Sequence, residues 1–148
     1  MAASHEILTP RPGIYALGLV LSEEVFIEVG ALGRWRFPAG LYVYVGSAWG
    51  AGGLAARVGR HLRGGTSLHW HIDYLRAVSR PVAVWLAPGR RDECAWAAQL
   101  LARPGARVIA PRFGASDCTC PAHLVCLGDV EPVGALFPAA QFLELRQP

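Results

Sequence analysis

The sequence predicts an α/β domain: a small, mainly antiparallel β-sheet with helices packed against it. Three observations predict it. Short runs rich in β-branched, aromatic and leucine residues, punctuated by glycine or proline, recur at 14–21, 41–45 and 81–86, which is a strand signature. Between these runs, apolar residues return at helical spacing, as in Leu54, Val58, His61 and Leu62. Gly30 and Gly33 separate two short segments, 24–29 and 35–37, and such a hairpin joins antiparallel strands.

Composition sets the outer limits. A chain of 148 residues, 53% hydrophobic and 17% charged, fits one globular domain with a core of its own. That balance excludes a disordered chain. No stretch reaches the roughly 20 apolar residues that span a bilayer. No cationic segment precedes an apolar one at the start, so the cytoplasm is the expected compartment. The net charge is only +3, yet all 14 basic residues are arginine, and the chain has neither lysine nor asparagine. Codon usage in a GC-rich genome accounts for such a bias. It also suits phosphate recognition, because a planar guanidinium meets two oxygens at once.

Taken in order, residues 1–12 form a polar lead-in. The first strand runs over 14–21, the hairpin over 24–37, and a further strand over 41–45. Glycines at 50–53 break that strand. A helix carries Leu54 to Leu62 and ends at Gly64 and Gly65. A helix through Ile72, Leu75 and Arg76 follows, then the buried strand at 81–86. A helix over 91–101 has Asp92 and Glu93 in its first turn, where carboxylates suit the helix dipole. Short strands are expected at 108–110 and 124–127 around a glycine- and cysteine-rich loop. The proline-containing tail from Glu131 is expected to wrap the domain. The chain thus reads as one domain, 1–148, with a core at 12–100 and a cysteine-rich loop, strand and tail at 101–148.

Two of the strands carry a tyrosine beside a glycine: Gly13-Ile14-Tyr15, and Tyr44-Val45-Gly46 followed by Ser47-Ala48. Next comes a helix with Arg57, Arg60 and His61, in which Arg57 and His61 share a face. Glu93 opens a later helix. In this order the elements resemble the GIY-YIG nuclease superfamily. The string from Tyr42 to Leu62, with His69-Trp70-His71-Ile72-Asp73 after it, is similar to an uncharacterised microbial branch that occurs alone or fused to a base-excision glycosylase of the endonuclease III type. The resemblance covers roughly residues 12–100 and implies a GIY-YIG endonuclease-like fold with an extra inserted hairpin. It implies a nucleic acid, DNA before RNA, as partner, and a repair protein as a further one. Two departures stand out. The inserted hairpin separates the tripeptides, and the late asparagine of many members is absent, with Ser116 or Asp117 as candidates for its place.

The chemistry follows from the residue types. Phosphodiester hydrolysis needs an activated water, a Lewis acid and positive charge for the developing oxyanion. Glu93 is the candidate ligand for Mg²⁺ or Mn²⁺, and Arg57 supplies the charge. Tyr15 is the candidate base, and Tyr44 and His61 orient the phosphate or pass a proton. Gly46, Ser47, His69 and His71 are candidates for phosphate contact or support. Each also has an ordinary reading: tyrosines in strands usually pack, arginines on helices are usually solvated, and a glutamate in a first turn favours the helix. If His69 and His71 lie at a helix start they splay apart, which argues against joint metal ligation.

The four cysteines are Cys94, Cys118, Cys120 and Cys126, three of them within nine residues. Cys94, Cys118, Cys120 and His123 are a candidate Zn²⁺ set, although C-x-C is a poorer chelate than C-x-x-C. Cys126, in an apolar strand, is expected in the core. Without zinc the set stands as reduced thiols. The expected function is a divalent-metal-dependent endonuclease. Its rivals are a catalytically silent nucleic-acid-binding module and a zinc-stabilised interaction domain.

Overall fold

The structure, a computed structural model, describes residues 8–64, 67–129 and 134–145. Strands β1 (Gly13–Leu21), β4 (Gly40–Ser47), β5 (Arg80–Pro88), β6 (Leu124–Gly128) and β7 (Gln141–Glu144) form one sheet in the order β6-β4-β1-β5-β7. Every neighbouring pair is antiparallel. Three helices flank it: α1 (Gly53–Arg63), α2 (His71–Arg76) and α3 (Glu93–Leu101). The mixed α/β class expected from the sequence is the class observed.

Both sheet faces are covered, which explains why β1 reads as a nearly continuous apolar run rather than an alternating one. Tyr15, Leu17 and Leu19 pack with Tyr42 and Tyr44 against Leu54 and Val58 of α1 and Ile72 and Leu75 of α2. Ile14 and Ala16 face the other way, with Val43, Val45 and Trp85, under Trp96 and Leu100 of α3 and Phe137.

The inserted segment forms its own two-stranded sheet, β2 (Val25–Glu28) with β3 (Arg34–Phe37). It packs Ile27, Trp35 and Phe37 inward and leaves Phe26 exposed. Because it pairs only with itself, β1 and β4 remain direct neighbours in unbroken register from Ile14↔Ser47 to Leu21↔Gly40. Helix α1 ends at Gly64, whose N–H is donated to the Arg60 carbonyl; Gly65 lies outside the described residues.

Two expectations fail. Residues 108–110 are not a strand: one isolated bridge, Arg107↔Cys126, joins this stretch to β6 before the chain turns at Pro111. The tail is not merely a wrapping segment. Its first residues, 131–133, lie outside the described residues, but β7 adds an edge strand beside β5. Among the described residues no helix is long and apolar enough to cross a membrane.

Candidate active site and metal centre

Antiparallel register sets Tyr15 opposite Gly46 and Leu17 opposite Tyr44, so both tyrosines stand on one sheet face. Their ring centroids are 6.3 Å apart. The Tyr15 ring lies directly over Gly46: a Cβ there would sit 2.5 Å from the phenol oxygen. The glycine of the second tripeptide is therefore the space that the tyrosine of the first one fills. Helix α1 closes over this pair and brings His61 Nε2 to 2.7 Å from the Tyr15 hydroxyl. Tyr15 is 0% exposed and His61 2%. The second ring nitrogen of His61, Nδ1, is buried with no hydrogen-bond partner among the described residues.

Burial dominates the protonation of this cluster. It raises the Tyr15 phenol well above its ordinary value; neighbouring Tyr44 adds to this, and Arg57 opposes it by charge and hydrogen bonding. Tyr44 is pushed up to about 12 by burial, again against Arg57. His61 is lowered to about 4, first by burial, with Asp73 opposing. At neutral pH the two phenols are protonated and the imidazole is neutral.

Arg57 and Arg60 leave α1 on the same side, and their guanidinium groups lie 4.1 Å and 4.3 Å from the centre of the Trp70 ring. They differ in what else they meet. Arg60 grips both oxygens of Asp73, at 2.8 and 3.1 Å. Arg57 donates to the Ser47 carbonyl at 3.2 Å and has no carboxylate partner among the described residues. Asp73 also accepts the N–H groups of His69 and Trp70, each at 2.8 Å, which starts α2. Burial raises the Asp73 carboxyl, but the bonds from Arg60, Trp70 and His69 outweigh it, and the net shift is downward. The His-Trp-His-Ile-Asp string is thus a helix start rather than a strand of ligands. His71 Nδ1 accepts the Gly114 N–H at 2.8 Å, so the neutral ring carries its proton on Nε2.

These elements surround a cleft of about 550 Å³. Tyr44, Gly46 and Ser47 line it from β4, Arg57 from α1, His69 to His71 from the start of α2, and Glu93 from the first turn of α3. Ser116 and Asp117 line it as well. Tyr15 and His61 do not: they lie behind the wall that Tyr44 forms. Of the two tyrosines, only Tyr44 is placed to touch a ligand in the cleft, which argues against the expectation that Tyr15 acts directly as the base.

The cysteine loop closes one side. Cys94, Cys118, Cys120 and His123 bring their ligand atoms within 4.8 Å of one another. Sγ of Cys94 is 3.7 Å and Sγ of Cys118 is 3.4 Å from His123 Nε2. The cluster has the donor set to hold a metal ion, and soft sulfur favours zinc over magnesium or manganese. As a thiol Cys94 opposes ionisation: hydrogen bonding with Cys120, burial and the Cys118 thiol push it up to about 12. A bound cation would invert that tendency, since a coordinating thiol is deprotonated outright. Cys126 stands apart in β6, 1% exposed, as expected.

Several residues that organise the site carried no clear sequence signal. Arg112 takes the left-handed conformation, φ 69°, and donates to the carbonyls of Ala115, Cys118 and Cys120. Trp70, named only as part of a string, is the surface under two arginines. Trp49 lines the cleft with the Arg91 guanidinium 3.6 Å from its ring centre.

A family profile described as domain of unknown function DUF123 matches residues 14–141. No curated protein and no solved structure matches the chain.

Proposed function

From the premise that the chain belongs to the DUF123 family, a GIY-YIG-like domain, we propose that it is a divalent-metal-dependent endonuclease hydrolysing phosphodiester bonds, in DNA rather than RNA. The observation that carries this reading is the convergence of Tyr44, Arg57 and Glu93, from three separate elements, on one cleft. Arg57, with no carboxylate to neutralise it among the described residues, is free to meet a phosphate.

Glu93 is the residue to hold Mg²⁺ or Mn²⁺, with Asp117 as the second acidic group of the cleft. The donor set fits, because such ions are ordinarily held by one or two carboxylates, with water and phosphate oxygens completing the shell. The bound ion would polarise the phosphoryl oxygen as a Lewis acid.

The chain's own groups do the rest. Arg57 binds the phosphate and offsets charge that builds on its oxygens. Gly46, Ser47 and the Nε2–H of His71 border the same space and orient the phosphate. Tyr44, with its pKa near 12, is ionised to about one part in 10⁵ at neutral pH. It therefore acts first as a hydrogen-bond donor. The Tyr15 hydroxyl lies behind it, held 2.7 Å from His61 Nε2. Tyr15 is thus reassigned from direct base to a buried support of Tyr44, and His61, whose pKa is near 4, holds that hydroxyl as a hydrogen-bond acceptor and is not where a proton comes to rest. The finer resemblance, to a microbial branch sometimes fused to a repair glycosylase, supports DNA repair or processing in the cytoplasm as the setting.

Arg57→Ala tests this. Turnover on a nicked-plasmid assay should fall about a thousandfold or more, as for a transition-state arginine in phosphoryl transfer. Affinity for a labelled duplex should change little, because phosphate affinity is spread over many arginines. An Arg57→Ala protein that nicks like wild type removes the assignment. A second reading, a catalytically silent binding module working beside a repair glycosylase, draws on the complete enclosure of Tyr15. It predicts duplex binding without nicking under any metal. The cysteine cluster supports a third, a zinc-stabilised interaction domain.

A further inference from the structure

We infer that Cys94, Cys118, Cys120 and Nε2 of His123 form a closed, structural zinc site that fastens the 111–123 loop to the first turn of α3 and so holds Glu93 at the cleft. The part that concerns Glu93 rests on the reading of the cleft given above; the metal site itself does not.

Two ligand atoms bound to one tetrahedral zinc, at about 2.0–2.3 Å each, stand about 3.5–3.8 Å apart. The two sulfur-to-nitrogen separations are 3.7 Å and 3.4 Å, and all four ligand atoms fit within 4.8 Å. Little movement is needed to seat an ion among them.

The histidine is prepared for the role. His123 Nδ1 lies 3.2 Å from the Val45 carbonyl. A carbonyl only accepts, so Nδ1 carries the proton and Nε2 keeps its lone pair, aimed at the two sulfurs. A carbonyl behind the ring is the usual support of a metal-bound imidazole, fixing tautomer and orientation together. The backbone repeats the link: Val45 N–H is donated to the His123 carbonyl at 2.9 Å. Val45 stands between Tyr44 and Gly46, so the cluster is tied to the strand that forms the cleft wall.

The loop also needs such a fastening. Residues 111–123 contain no helix or strand, and ordering each residue costs backbone entropy. Arg112 gathers the carbonyls of Ala115, Cys118 and Cys120, which aims both sulfurs of the C-x-C pair at one point. The poor chelate of the bare spacing is made workable by that winding. Cys94 is the ligand from outside the loop. It follows Glu93 directly, so an ion here pins the turn that carries the proposed metal-binding carboxylate. Four protein ligands leave no open position, which marks a structural rather than a catalytic ion.

The test uses the full chain, purified under reducing conditions without chelator. Elemental analysis should find one zinc per chain, and loading with cobalt in its place should give the intense visible bands of a tetrahedral thiolate complex. Cys118→Ser and His123→Ala should each lower bound zinc at least tenfold, while Cys126→Ser keeps it. Because a ligand variant can fail to fold, hydrogen exchange is also measured on wild type before and after zinc removal. Amides at 93–96 and 112–123 should lose at least tenfold in protection, more than the β1–β4 core. Zinc-free protein that also refuses cobalt overturns the site. Bound zinc whose removal leaves 93–96 as protected as before overturns the link to Glu93. Zinc with no nicking removes the nuclease reading alone, and nicking without zinc removes this inference alone.

Discussion

Replacing Gly46 by alanine is the sharpest test of how the two tripeptides fit together. A Cβ at this position would lie 2.5 Å from the Tyr15 oxygen, 2.6 Å from Cζ and 3.0 Å from Cε1. Ordinary contact begins near 3.4 Å, so the ring would have to retreat by almost an ångström. It has nowhere to go: Tyr15 is 0% exposed, and its hydroxyl is held 2.7 Å from His61. Overpacking of this kind costs about 1–3 kcal/mol, and a disturbed buried hydrogen bond adds about 0.5–1.5 kcal/mol. Gly46→Ala should therefore destabilise by about 2–4 kcal/mol, or lower Tm by roughly 6–12 °C. Urea titration with an unchanged slope measures it. The cost should shrink by at least about 1 kcal/mol in a Tyr15→Leu background, where the ring is gone. A Gly46→Ala protein within about 0.5 kcal/mol of wild type would refute the close approach of ring to strand.

His61 should make the protein acid-sensitive. Its folded pKa is near 4 against about 6.5 unfolded, so below 6.5 the unfolded chain takes a proton that the folded one refuses. Stability is full above 6.5 and is lost as pH falls toward 4, by about 3 kcal/mol. Urea midpoints at pH 7 and pH 4.5 should differ more for wild type than for His61→Gln; equal differences remove the cause. Asp73→Asn weakens the clasp on Arg60 and the start of α2 together, and should destabilise by about 1–3 kcal/mol in the same titration; a neutral result would show that clasp to be dispensable. Tyr44→Phe should slow nicking more than it weakens duplex binding, since only a hydroxyl in the cleft is lost; an unchanged rate in a single-turnover assay would take Tyr44 out of the chemistry.

Much of this arrangement was legible in the sequence because its signals are local. Glycine-bounded runs gave β1, β4 and β5, and helical spacing gave α1, since each depends on residues only a few positions apart. The order of the tripeptides, Arg57 and Glu93 anticipated the cleft. What stayed hidden depends on distant partners. Whether Tyr15 or Tyr44 meets solvent is decided by His61 and Arg57 folding over the sheet, not by either strand. Arg112 and Asp73 act on main-chain groups, which leave no pattern in a sequence. The stretch at 108–110 has strand-forming residues, yet only Arg107 reaches β6. In the tail, proline obscured an edge strand of four residues. C-x-C looked like a weak chelate until the Arg112-centred loop put both sulfurs on one side.

Plasmid nicking with Mg²⁺ or Mn²⁺, wild type beside Glu93→Gln at matched folding, tests the central claim most directly. The substitution keeps size and shape and removes the charge that holds a hard cation. Metal-dependent nicking by wild type, abolished in Glu93→Gln while the unfolding curve stays the same, is the predicted result. Cleavage by Glu93→Gln at the wild-type rate, or no nicking by wild type on any DNA supplied, would contradict it.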